Sequence, residues 1–307
     1  MNAMQAVTPA VDLDASILPL FRELGDLKRI YAAGYAGSIA SRFFQAAWHA
    51  LVGGIDVDEI MLRTTAAAVA ATRLGDLTLF KLTELGLDHA TAVEVLERAF
   101  DAVSEAVEIG LADRLRRALA AGPLPAGQVP AFVELLAEQP RAGVTAPGKP
   151  RVMLMPAENH AEHSLIVAVY GVLAAPAFGA DPVDAFLAGM AHHLHSATMP
   201  DSGYAGEILL GHHLDTVMAT ARAQAAAQLS AALRARLEQA TAPLSSDDTA
   251  GARAFHAADV IDRVLEIEQH LAMQRVDMQL VLDDYGLVHG GPVKPFHDRV
   301  LAAVGLP

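Results

Sequence analysis

A chain of 307 residues carrying a net charge of −14 is poorly suited to nucleic acid or an anionic membrane surface as its main partner. It contains no cysteine, which excludes a disulfide framework and a thiolate metal site. Hydrophobic residues make up 53% but aromatics only 5%, so the core is expected to be built from Ala, Leu and Val, in helices. The first fourteen residues have neither a basic stretch nor an apolar run of signal-peptide type, and with the missing cysteines this leads us to expect a cytoplasmic protein.

Helical spacing begins at Ala15. A helix is predicted over Ser38–Val52, stopped by Gly53-Gly54, and the next starts from a cap at Asp56 or Asp58 and runs to about Arg73. Asp88–Leu119 reads as one long amphipathic helix, with Gly110 as the place where it could break. A Pro- and Gly-rich stretch precedes a short helix at Ala131–Glu138. Another, with three prolines and two glycines, ends near Arg151 and sets the expected domain boundary, giving domains 1–145 and 146–307. Ser164–Leu173 is almost wholly apolar and is expected to be a buried helix, with Pro176 in its exit loop; it is short for a membrane span. A second buried helix follows from Val183 to Leu194, then long helices over Leu214–Ala240 and Ala252–Arg275 and a last short one in the tail. No segment reads as a strand, so the expected class is all-α.

Histidine clusters at the ends of the two buried helices. Of the thirteen histidines, His160, His163, His192, His193, His195, His212 and His213 fall between residues 158 and 213. Neutral imidazole is a common ligand for a divalent transition metal (Zn, Fe, Co, Ni or Mn). Antiparallel helices would bring the start of the first beside the end of the second, which is how a helical bundle builds an internal metal site. His160 and His195 lie three residues from His163 and His192. They read either as further ligands or substrate contacts, or as helix-end histidines.

The run E-N-H-A-E-H-S, two buried helices, the His192-His193 pair and the downstream A-A-D resemble the HD-domain superfamily of metal-dependent phosphohydrolases, its nucleotidase-like branch above all, over about residues 150 to 275. The resemblance implies an HD-like helical bundle with one divalent metal held by His163, His192, His193 and Asp259. It implies an acid at Asp201 to orient or deprotonate water, and a phosphate contact at Arg151, with Lys149 beside it. The family's signature Asp is His193 here, which argues against a bridged two-metal centre, and a glutamate used by some relatives is replaced by His195 and Ser196. The resemblance therefore implies hydrolysis of a small phosphorylated molecule, a nucleotide among the candidates. The alternatives are a catalytically degenerate binding or regulatory protein and, with His212 and His213 in view, an iron oxygenase. Lys294, His297 and Arg299 could reach the site from the tail. Asp262 and Asp277 read as exposed helix positions.

A shift of 126 residues places Ser38 on Ser164, Gly53 on Gly179 and Ala66-Ala67 on His192-His193. The N-terminal half then reads either as a metal-free, pseudo-HD repeat that scaffolds or dimerises, making a homo-oligomer the expected state, or as a chance agreement of two alanine-rich hairpins.

Overall fold

Local sequence rules account for most helix boundaries in the computed structural model, which describes residues 13–272, 298–299 and 301–302. Among these residues the fold is all-α, with only isolated bridges such as Val144 to Val152 in place of strands. The helices are α1 (Leu18–Asp26), α2 (Ile39–Val52), α3 (Val57–Leu74), α4 (Leu79–Glu84), α5 (His89–Asp101), α6 (Ile109–Ala118), α7 (Ala131–Glu138), α8 (His160–Phe178), α9 (Pro182–Ala191), α10 (Gly203–Leu210), α11 (Leu214–Ala226), α12 (Ala231–Thr241) and α13 (Ala250–Ala272). Asp56 caps α3 and Ser38 caps α2, each accepting backbone N–H bonds from the first turn.

Three expectations differ. The Asp88–Leu119 helix is two helices, because the chain turns at residues 102–108 and Glu108 caps the second. The Leu214–Ala240 helix also divides at residues 227–230, where Ser230 accepts from Leu233 N to start α12. Pro176 lies inside α8 instead of in its exit loop. A proline near a helix C-terminus removes a single intrahelical bond, and the left-handed Gly179 closes the end.

The molecule is organised around α8. Every residue from His160 to Ala175 is buried, and α1, α2, α3, α7 and α9 pack around it. This helix is long and apolar enough to cross a membrane, but most of it is buried inside the protein. Phe21 on α1 stacks on Tyr170 at 4.0 Å between centroids, and the Tyr170 hydroxyl donates to the Phe21 carbonyl. The closest approach is between α8 and α9. A Cβ on Gly189 would lie 2.4 Å from the Ala168 Cα, so only glycine lets the two backbones meet there. The hydrophobic core runs through helices on both sides of residues 140–150, and the described residues up to Leu265 form one compact unit. The last turns of α13, from Glu266, group with a second unit. Lys294, His297 and Asp277 lie outside the described residues.

Candidate metal centre

The N-terminal turn of α8 is polar and yet buried. Asn159 caps it in a reciprocal box with Glu162, which frees the helix to begin one turn before the apolar run. That added turn carries His160, Glu162 and His163, exposed by 1%, 3% and 0%. Burial raises the Glu162 carboxyl above its usual range, against hydrogen bonds from Ser38 and the Asn159 backbone.

His163 is fixed from α13. Asp259 and Asp262 are three residues apart, so they share a helix face. The His163 Nδ1 donates to Asp262 Oδ2 at 2.7 Å, and its Nε2 lies 3.3 Å from Asp259 Oδ1. His192 arrives from the end of α9. Its Nδ1 donates to the Gly189 carbonyl at 2.7 Å, so its Nε2 keeps a lone pair, and that atom lies 3.2 Å from His163 Nε2. His163 Nε2 is thus flanked by an imidazole nitrogen of His192 and a carboxylate oxygen of Asp259. Facing lone pairs of this kind repel unless a proton or a cation lies among them. Donor atoms about 2.0–2.2 Å from one metal lie roughly 3.0–3.5 Å from each other, and the His163–His192 and His163–Asp259 distances fall in that range.

His193 joins from the adjacent position. In a continuous helix, neighbours point about 100° apart, but α9 stops at Ala191 and His193 adopts φ −99° and ψ 18°, which starts the short 3₁₀ turn Leu194–Ala197. The break lets both rings face the cluster, with centroids 4.2 Å apart. His163, His192 and His193 offer nitrogens within 4.8 Å of one another. Burial, then the neighbouring imidazoles, pushes His192 and His193 well below the usual histidine range, so both are held neutral as ligands require. Burial alone would raise the Asp259 carboxyl. The imidazoles of His163 and His192 and the Arg263 guanidinium, all of which favour the ionised form, outweigh it and hold the group below its ordinary range.

The remaining candidates are spread around this centre. His160 lies with its ring 4.7 Å from that of His193 and its Nε2 3.6 Å from Asp201 Oδ2, and neither of its nitrogens has a hydrogen-bond partner among the described residues. Burial, with Arg141 nearby, lowers it to about 3. Asp201 is oriented by the backbone N–H groups of Ala142 and Gly203. Arg151 is exposed and donates to the Ala142 carbonyl, and Lys149 is exposed. His195 is lowered to about 4 by burial and by Arg222, which donates to the His192 carbonyl. His212 and His213 lie side by side on the surface, with ring centroids 3.8 Å apart and planes tilted by 42°.

Asp262 is a correction: it is 1% exposed and touches His163. Its signal in the sequence was the i, i+3 spacing from Asp259. Three further groups behind the ligands carried no local signal. Lys28 is bonded to both Glu158 and Asp262, and Arg141 is bonded to Glu158. Comparison with protein-family models, curated proteins and solved structures gave no significant match for this chain.

Proposed function

We propose that this protein is a metal-dependent phosphohydrolase acting on a small phosphorylated molecule, with a nucleotide among the candidates. The observation that carries the reading is the meeting of His163, His192 and His193, which offer nitrogens within 4.8 Å of one another, with Asp259 Oδ1 3.3 Å from His163 Nε2. The resemblance of E-N-H-A-E-H-S, the His192-His193 pair and A-A-D to the HD-domain superfamily supports the same reading. His163, His192, His193 and Asp259 would hold one divalent metal, which when bound supplies Lewis-acid chemistry toward a phosphoryl group and a water. His163 is oriented by Asp262 and His192 by the Gly189 carbonyl, the outer hydrogen bonds that ligating histidines normally make. Asp201, steadied by two backbone amides, would orient a water beside the ligands together with His160, whose nitrogens have no hydrogen-bond partner among the described residues. Arg151 would contact phosphate from the adjoining loop.

A second reading is a binding or regulatory protein that has lost catalysis. It draws on His193, which supplies a neutral nitrogen where the family has a carboxylate, and on Asp201, whose two oxygens both accept backbone bonds. The oxygenase reading draws no support from His212 and His213, which pair on the surface.

The test is elemental analysis of protein purified without added metal, followed by turnover of a panel of small phosphate monoesters and nucleotides. We expect about one equivalent of a transition metal, lost in both His192→Ala and Asp259→Ala, since each removes one of few ligands. Full occupancy in both variants would overturn the ligand set. Metal without turnover would select the second reading.

A further inference from the structure

We propose that Lys28, from the N-terminal half of the chain, is a positioning residue for the metal centre. The inference rests on the reading of His163, His192, His193 and Asp259 as ligands. Lys28 lies in the turn after α1 and is 3% exposed. Its Nζ is 2.7 Å from Glu158 Oε2 and 2.7 Å from Asp262 Oδ1. The other oxygen of Asp262 accepts from His163 Nδ1 at 2.7 Å, and the other oxygen of Glu158 accepts from Arg141 at 2.9 Å. Two cations and two carboxylates thus form one buried chain that ends on a metal ligand.

The chain has a direct consequence for His163. Glu158, His163 and Asp262 present ligand atoms within 4.8 Å of one another, and taken alone they make a candidate cation site. The Lys28 ammonium is already bonded to both carboxylates. It bridges them and holds Asp262 Oδ1 so that Oδ2 points at His163. Asp262 then fixes the tautomer that leaves the His163 Nε2 lone pair facing His192 and Asp259. Carboxylate partners of this kind are worth about 10- to 100-fold in metal affinity. Without Lys28, two adjacent buried carboxylates would lose the bridge that holds them side by side, and Asp262 would no longer be fixed against His163. A half of the chain that carries none of the proposed ligands thereby sets how well the other half binds metal.

The experiment is a chelator-competition measurement of Co²⁺ and Zn²⁺ affinity on metal-stripped protein at pH 7.5. It compares the parent, Lys28→Met, Lys28→Arg and the double variant Lys28→Met/Glu158→Gln, each checked for helix content by circular dichroism. We expect affinity to fall about 10- to 100-fold in Lys28→Met and to recover most of that in Lys28→Arg, which restores the cation. The double variant removes one charge of each sign, so it keeps the test open where the single variant fails to fold, and it should lose the same affinity. A folded Lys28→Met or double variant that binds as tightly as the parent overturns the proposal, even where its thermal midpoint has fallen, since that pattern is purely structural. A parent that binds neither ion overturns the metal-centre reading itself, and this inference with it, which is distinguishable from the first result.

Discussion

The two helical hairpins, α2 with α3 and α8 with α9, are alike in scaffold and differ at the places where the chemistry gathers. With the second displaced by 126 residues, Val52 and Phe178 coincide as last helical residues, and Gly53 and Gly179 follow them. The first difference lies at the start. α8 has 19 residues against 14 in α2, and the added turn carries His160, Glu162 and His163. In the first hairpin the corresponding stretch runs Gly34 to Gly37 at φ +85° and +77°, a loop that a helix cannot replace. The second difference lies at the end. α3 continues through Ala66 and Ala67 to Leu74, while α9 stops at Ala191 and turns His192 and His193 inward. Ala67 instead lines an apolar cavity with Phe43, Ala71, Leu79, Leu96 and Leu119. Lengthening one helix and cutting the other short is what gathers the histidines and their carboxylate partners at one end of the buried pair.

The largest expected effect is on acid stability, and it belongs to the second hairpin. Burial lowers His160 to about 3 and His195 to about 4 in the folded chain, and it holds His192 and His193 well below the ordinary imidazole value of about 6.5. Each folded value lies below the unfolded one. The contribution is therefore complete above pH 6.5 and is lost as the pH falls toward the folded values. The loss is up to about 1.4 kcal/mol per pH unit for each histidine. Urea unfolding of metal-free protein at pH 7.5, 6.5, 5.5 and 4.5 should show this decline, and His160→Gln/His195→Gln should flatten it. An unchanged slope in that variant would mean that the decline arises elsewhere.

Packing comes next. Gly189→Ala forces a methyl into the Ala168 backbone and should cost about 3 kcal/mol, with metal affinity falling because the Gly189 carbonyl orients His192. Gly171→Ala on the facing helix meets the Ala185 methyl at 3.4 Å and should cost well under half as much. Equal thermal shifts for the two would contradict the backbone-to-backbone contact.

Ser38→Ala probes the join between the hairpins. The Ser38 hydroxyl caps α2 by accepting from Ser41 N and donates to Glu162 at 2.6 Å. Its loss should cost about 1–2 kcal/mol in chemical denaturation. A neutral result would show that Glu162 finds another partner.

The smallest effect is expected for His193→Asp, which introduces the carboxylate found at that place in the pattern the sequence resembles. Metal should still bind, within about tenfold, while the added negative charge makes a bound water less acidic and moves any pH–rate profile upward. A variant identical to the parent in metal occupancy and profile would remove His193 from the ligand set.

Short-range information settled much of this protein from sequence alone. Alternation of apolar residues at helical spacing set the class, and Asp56 and the Pro130 boundary of Ala131–Glu138 set individual ends, because caps and periodicity act within one or two turns. The histidines at the two buried helix ends were legible for the same reason, since each lies next to the run that buries it. Breaks at residues 102–108 and 227–230 were not, because neither contains the glycine or proline that would mark a stop. Nor was the setting of the histidine cluster. Asp262 looked like an exposed position because its helix period cannot say which face meets α8. Lys28 and Glu158 are 130 positions apart in sequence and 2.7 Å apart in space. Only the packing of α1, α8 and α13 decides that a lysine from one half neutralises the acids behind a histidine of the other, since buried charges find partners by proximity in the folded chain and not by spacing along it.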